Sequence, residues 1–321
     1  MAVFVRTQEV EHPIGGTGRF SLRVTSADTE LRAGDDQVAR LRATFELRAG
    51  SDAEADEIFE HAKLRVSTGP AAFDAIEPRD LSSAIASLTQ LFTAPGGLRQ
   101  MRVEAEVPRR AELTFAGVSS DATAAGFSRV QQYQTVSGDL VVTDAAGSLH
   151  VKSVSGDVSI RAAGPLELEA SAVSGDLSVA APRFDRLSAG SVSGDIEIDG
   201  ELASRAPHRV ETVSGDLGLG LAGDLTLEVR GLSTDVDIAL PHRSEGSRDR
   251  RRYVVGNGGP TLSFRSMSGD VSVRPSRRAP PGTAAPERAR TGPDDELEVL
   301  RALERGEIGV DEAASRLGRG R

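Results

Sequence analysis

The sequence predicts a mainly β protein: a β-solenoid or β-helix-like repeat of about 19 residues per rung, with a small helical insertion and a C-terminal helical hairpin. Three observations predict it. The tetrapeptide VSGD returns five times, at 136–139, 154–157, 173–176, 192–195 and 213–216. Its glycines, Gly138, Gly156, Gly175, Gly194 and Gly215, fall 18, 19, 19 and 21 residues apart, too short a period for a propeller blade or a helical repeat. Through each copy, apolar and polar residues alternate with a period of two, the pattern of a strand with one buried face.

Degenerate copies extend the series: VSSD at 118–121, LSTD at 232–235, MSGD at 267–270 and, far upstream, TSAD at 25–28. Continuous alternation puts Val173, Gly175, Leu177 and Val179 on one face and Ser174, Asp176 and Ser178 on the other. Val154, Gly156, Val158 and Ile160 repeat the pattern, as do Val192, Gly194, Ile196 and Ile198. A second alternating strand follows a turn, seen at Leu149 and Val151, Leu166 and Leu168, and Leu225 and Leu227. Two strands and two turns make one rung, with aliphatic columns inside and polar columns outside. Aromatic residues are 4% of the chain and tryptophan is absent, which suits a thin core of stacked Val, Leu and Ile.

The expected role of the Gly-Asp pairs is structural. Glycine on the inward face marks a corner with no room for a side chain, or with positive φ. The neighbouring Asp and Ser can bond the free N–H groups of the turn. The turn residues are Gly138 and Asp139, Gly156 and Asp157, Gly175 and Asp176, Gly194 and Asp195, Gly215 and Asp216, and Gly269 and Asp270. Stacking places Asp121, Asp139, Asp157, Asp176, Asp195, Asp216 and Asp235 in a ladder. At about 4.8 Å, neighbouring carboxylates repel by about 0.9 kcal/mol even in bulk water. A charge-assisted hydrogen bond, about 1.5–3 kcal/mol, can offset this; so can calcium. Calcium-binding β-rolls, however, repeat Gly and Asp about every nine residues, whereas here there is one pair per 19. No metal site and no cofactor are assigned.

Residues 1–274 are expected to form the repeat domain, interrupted at about 51–97 and 242–260. In the first interruption, SDAEADEIFEHAKLRV opens like a capping box at Ser51 and Glu54 and aligns Ala55, Ile58, Phe59 and Ala62. RDLSSAIASLTQLF aligns Leu81, Ile85, Leu88 and Phe92 before Pro95-Gly96-Gly97. The two helices are expected to cover one end or side of the stack, where strand edges would otherwise be open; a partner-binding lobe is the alternative. The second interruption is a basic loop carrying Arg243, Arg248, Arg250, Arg251 and Arg252 against Glu245 and Asp249. Arg248, Arg250, Arg251 and Arg252 are candidate contacts for a partner or an anionic membrane surface. Residues 275–293 hold five prolines and no apolar period, and read as a linker. Residues 294–321 read as a helical hairpin with Leu297, Leu300 and Leu303 on one stripe and Val310, Ala313, Ala314 and Leu317 on another. So small a hairpin needs a docking partner or self-association, which makes Leu300 and Leu303 candidate contacts.

The VSGD repeats, the opening FSLRVTSADTEL and the late GNGGPTLSF…MSGDVSV together resemble the bacterial "putative adhesin" family of β-strand-repeat domains, over roughly residues 1–274. LRALERGEIGVDEAASRL is similar to the short helical module called SHOCT-like. The resemblance implies a setting in cell-envelope stress responses and names no ligand.

The formal net charge of −10 argues against nucleic-acid binding. Absence of cysteine excludes disulfides and thiolate chemistry. No secretory signal and no apolar run long enough to span a membrane is visible, so a cytoplasmic location, or a peripheral one at the membrane, is expected. The five histidines, His12, His61, His150, His208 and His242, are scattered, and no GxSxG or phosphate-binding loop occurs. The expected function is that of a non-enzymatic scaffold or interaction protein. The alternatives are an envelope-associated sensor of anionic lipid or peptide, and a carbohydrate-active β-helix enzyme.

Overall fold

A computed structural model describes residues 2–78, 97–203, 206–247 and 250–277. The chain begins with β1 (Ala2–Pro13), β2 (Arg19–Val24), β3 (Asp28–Gly34) and β4 (Val38–Ala49), followed by the one helix among the described residues, α1 (Asp52–Ala62). Next come β5 (Arg65–Gly69), β6 (Ala72–Ile76), β7 (Gly97–Pro108), β8 (Glu112–Ser119), β9 (Ala122–Ala125) and β10 (Val130–Ser137). Three long bent strands follow: β11 (Leu140–Ser155), β12 (Val158–Ser174) and β13 (Leu177–Ser193). Shorter pieces continue the stack as β14 (Ile196–Leu202), β15 (His208–Ser214), β16 (Leu217–Leu221), β17 (Leu225–Ser233) and β18 (Val236–Ile238). A hairpin of β19 (His242–Ser247) and β20 (Arg250–Val255) precedes the last pair, β21 (Thr261–Ser268) and β22 (Val271–Pro275).

Each rung contributes one strand to each of two walls, joined at the SGD corner. The front wall runs in the order β6, β2, β8, β10, the second halves of β11, β12 and β13, then β15, β21 and β17, all parallel. The back wall runs β7, β3, β9, the first halves of β11, β12 and β13, then β14, β16, β22 and β18, also parallel. The expected solenoid-like stacking is therefore present. Between the walls, Leu140, Val158, Leu177, Ile196, Leu217 and Val271 form one buried column, no member more than 3% exposed. On the front wall Leu149, Leu168, Leu187, His208 and Leu262 form a second buried column. Variation in repeat length is absorbed at the far corner, where β11 and β12, β12 and β13, and β13 and β14 all shift register.

Rung order in space departs from rung order in sequence. The expectation was that LSTD would stack on the fifth VSGD and that MSGD would close the run. Instead β21 lies between β15 and β17, and β22 between β16 and β18. The chain steps over one rung position, makes β17 and β18, turns through the β19–β20 hairpin and returns to fill the gap. TSAD, remote in sequence, is the corner next to VSSD, because β2 pairs with β8 and β3 with β9.

Antiparallel strands close both ends. At the first end, β4 and β1 extend the back wall beyond β7, and β5 lies beside β6 on the front wall. Helix α1 packs against this end through Ala55, which is fully buried, and through Phe59, whose ring meets Phe45 edge-on at 5.3 Å. Its N-terminus is capped as expected: the Glu54 N–H donates to Ser51 Oγ (3.2 Å). The reciprocal Glu54 carboxylate accepts from Gly50 N–H (2.7 Å), one residue before the cap. The first interruption is thus a helix followed by the strands β5 and β6, and its second expected helix, at 81–92, lies outside the described residues. At the other end the arginine-rich stretch read as a loop is the antiparallel hairpin β19–β20, seated on β17. The expected linker and C-terminal hairpin also lie outside the described residues.

Candidate functional site

The repeated corner is built by backbone geometry first. Gly138, Gly156, Gly175 and Gly194 have φ of 118°, 116°, 109° and 149°, a region that side chains disfavour. Contact makes the demand stricter. A Cβ on Gly156, Gly175, Gly194 or Gly215 would sit 2.2–2.4 Å from the carbonyl oxygen of the preceding rung's glycine. The corners therefore stack backbone on backbone, and only glycine permits the approach.

The aspartates then close the ladder. Asp139 N–H donates to Asp121 Oδ1, Asp157 N–H to Asp139, Asp176 N–H to Asp157 and Asp195 N–H to Asp176, each at 2.9 Å. Asp216 N–H donates to Asp195, Asp270 N–H to Asp216 and Asp235 N–H to Asp270, each at 2.8 Å. In return, the Asp carbonyl oxygens accept from the first N–H of the next strand one rung back, as Asp176 does from Val158 (2.9 Å). Every carboxylate of the ladder but the last, Asp235, is thus an acceptor for a corner N–H that no strand pairing can reach. This is why the motif recurs: every rung needs its own Asp to satisfy the next. The order of the ladder follows the inserted rung, with Asp270 between Asp216 and Asp235.

One face assignment is overturned. The valine of VSGD was expected on the buried face with the glycine. Val136, Val154, Val173, Val192 and Val213 are instead 44–48% exposed. The inward positions of the front strand are Leu149, Val151 and Ser153, and the next inward residue past the corner is Val158. Val158 follows Ser153 by five positions, an odd step that leaves four residues between them, so the corner reverses the alternation and turns the valine outward. Polarity is consequently inverted beside the corner. The inward column holds the hydroxyls of Thr135, Ser153, Ser191, Thr212 and Ser266, all buried, with Ala172 between Ser153 and Ser191 and Gly117 and Gly231 at its ends. Thr212 Oγ1 donates to Gly215 O (3.1 Å) and meets Ser266 Oγ (3.0 Å); Thr135 Oγ1 donates to Ser153 Oγ (3.2 Å). The outward column is apolar: Val118, Val136, Val154, Val173, Val192, Val213, Met267 and Leu232 are neighbours in that order. Met267 is 57% and Leu232 86% exposed. This column, flanked on one side by the aspartates, is the candidate functional site. Alternation alone could not find it; counting the five-position step from Ser153 to Val158 across the corner could.

Other clusters are internally satisfied. A trough of about 640 Å³ on the outer face of β1, β4, β7 and β3 is lined by Glu9, Glu11, Arg32, Arg40 and Arg42, among others. Its charges answer one another: Arg42 meets Glu9 at 2.7 Å, and Arg40 meets Glu11 at 3.6 Å and Glu106 at 3.8 Å. Arg40 also binds Asp36 at 2.7 Å, which holds the Asp36 carboxyl below the usual carboxylate range. His208 is buried; its Nε2 lies 2.7 Å from Ala203 O, and desolvation lowers its pKa. Tyr133, buried with its hydroxyl on Gln131 Oε1, is pushed above the usual phenol range by desolvation. Among the described residues no three His, Asp or Glu side chains are arranged to hold a metal ion. Of the candidate arginines, Arg251 donates to Thr234 O (2.6 Å), tying the hairpin to the last rung, and Arg252 lies 4.0 Å from Glu245. Arg250 starts β20; Arg248, Leu300 and Leu303 lie outside the described residues. Among the described residues no helix is long and apolar enough to cross a membrane.

Parallel rungs, a glycine corner and an aspartate ladder define a solenoid-like β-repeat protein. Residues 112–274 match the family model described as Toastrack DUF4097, and the chain belongs to that family. Three solved structures are similar. A "putative lipid binding protein" from Parabacteroides distasonis is 14% identical, with a TM-score of 0.42, covering 84% of this chain and 96% of that one. A "putative cell adhesion protein" from Clostridium sporogenes is 8% identical, with a TM-score of 0.27 and coverage of 84% and 100%. A "putative adhesin" from Bacteroides fragilis is 9% identical, with a TM-score of 0.30 and coverage of 84% and 97%. No curated protein matches the chain.

Proposed function

We propose that this chain is a non-enzymatic interaction protein, a stack of rungs that offers its long outer faces to another protein chain. One observation carries this reading. The repeated polar motif is occupied in holding the stack together, while an apolar column beside it is left exposed from Val136 to Leu232. The ladder aspartates from Asp121 to Asp270 accept backbone N–H groups, and Glu9, Glu11 and Glu106 meet arginines. The proposal extends to the segment 294–321, which on its sequence pattern serves as an association module tethered by the proline-rich stretch. The envelope-stress setting implied by the resemblance is where partners are to be sought.

A pull-down from the native host, with the full chain and with a chain ending at residue 277, tests the reading. A defined partner retained in stoichiometric amount supports it. Loss of that partner on truncation, or with Leu300→Lys, assigns the contact to 294–321. Turnover of a polysaccharide by the purified chain would overturn it in favour of an enzyme.

A further inference from the structure

We propose that the exposed valine column is a self-association surface, on which a second copy of this chain docks side by side, with the two stacks parallel and their rungs in register. The inference rests on the interaction reading above and names its partner.

The first argument is periodicity. The column advances by one strand spacing, about 4.8 Å, per rung, so its eight residues extend about 34 Å. An α-helix laid along it advances about 5.4 Å per turn and falls most of a rung out of step over that length. An extended strand presents same-face side chains about every 6.8 Å and falls out of step sooner. A second rung stack has the same spacing at every position, so its valines interdigitate along the full column, as in dry ladder-to-ladder interfaces.

Charge complementarity is the second argument, and it selects the orientation. The column flanking the valines on the side away from the corner contains three cations, Lys152, Arg265 and Arg230, and one acid, Glu211, which lies 3.4 Å from Arg265, so the column carries a net positive charge. Each cation sits in the rung of an aspartate on the other flank: Lys152 with Asp157, Arg265 with Asp270, Arg230 with Asp235. A two-fold axis parallel to the stack exchanges the flanks and sets each of these cations opposite the aspartate of the same rung in the second copy. A two-fold perpendicular to the stack, along the strands, would set one aspartate ladder against the other. Arg230 also has a buried Nε with no hydrogen-bond partner, so its guanidinium is incompletely satisfied within one chain. Polarity is the third argument. A mostly hydroxyl column sits inside and the valines outside, so the valines make no contribution to the core that would explain an apolar type at that position.

Three columns about 15 Å wide and about 34 Å long cover about 500 Å² per copy, about 1,000 Å² in all, the low end for a specific interface. The association is therefore reversible and concentration-dependent.

Sedimentation and light scattering on the full chain test it. A dimer that dissociates on dilution is expected, and Val173→Asp with Val192→Asp should weaken it at least tenfold without moving the thermal melt. The chain has no cysteine, so single cysteines report orientation. Val136→Cys and Met267→Cys should each cross-link to itself through a short bis-maleimide. Cross-linking only in a mixture of the two would mean antiparallel stacks and would overturn the orientation. A chain that remains monomeric at high micromolar concentration, or a dimer indifferent to the double aspartate variant, overturns the proposal. Should that monomeric chain still retain a host protein in the pull-down, the interaction reading survives and self-association alone fails.

Discussion

Two aliphatic columns run side by side along this molecule, and they have opposite fates. Ile196 and its neighbours Leu177 and Leu217 lie between the walls, no more than 2% exposed. Val192, four residues before Ile196 in the same repeat, is 47% exposed, as are its neighbours in kind. Residue type does not separate them, since both sets are aliphatic and both recur once per rung. What separates them is the corner, which places four residues, an even number, between the last inward position of one strand and the first of the next. Burial in a repeat is thus decided by the corner's residue count as much as by hydrophobicity.

The comparison can be broken most strongly at the buried column. Ile196→Asp places an unpaired charge among Leu177, Ile198 and Leu217 and should cost several kcal/mol, whereas Val192→Asp should shift the melt of the monomer by no more than about 0.5 kcal/mol. Equal loss in the two would sink the assigned reversal of faces. Next in size is the corner itself. Gly175→Ala forces a side chain into positive φ and against the Gly156 carbonyl, at a cost of about 1–3 kcal/mol or more; urea midpoints would show it, and an unchanged midpoint would mean the rungs can move apart. Asp176→Ala removes the acceptor of Asp195 N–H and should cost about 1 kcal/mol, with solvent taking over the exposed donor.

A smaller effect is expected from pH. Burial holds the native-state pKa of His208 below its ordinary value of 6.5. Below that pH the unfolded chain binds a proton that the native state resists, so stability falls as pH drops through about 6.5 and is level above it. Urea titrations at pH 7.5 and 5.5 should show the fall, and His208→Gln should reduce it. Smallest of all, calcium or EDTA should leave the melting temperature unchanged, because the ladder carboxylates already accept backbone N–H groups. A rise of many degrees with calcium would contradict that account.

Much of the fold was legible because a 19-residue period with a glycine corner admits few architectures. The helix at 52–62 was legible too, since Ser51 and Glu54 write its cap in local sequence. The exposed valines were not, because a period-two pattern read straight through VSGD ignores the turn of the backbone at glycine. The position of the MSGD rung was equally hidden. Its strands look like one more repeat, and nothing in their residues distinguishes the end of the stack from a gap within it.

By itself, the sequence determined the rung: its length, its two strands, its glycine corner and the aspartate that each corner requires, because these depend on local backbone geometry and on contacts repeated identically from rung to rung. Only the tertiary structure decided which aliphatic column is covered, and where the last rung sits. Both depend on which surfaces come together in space. A repeat whose copies have nearly equivalent edges does not encode that choice in any single copy.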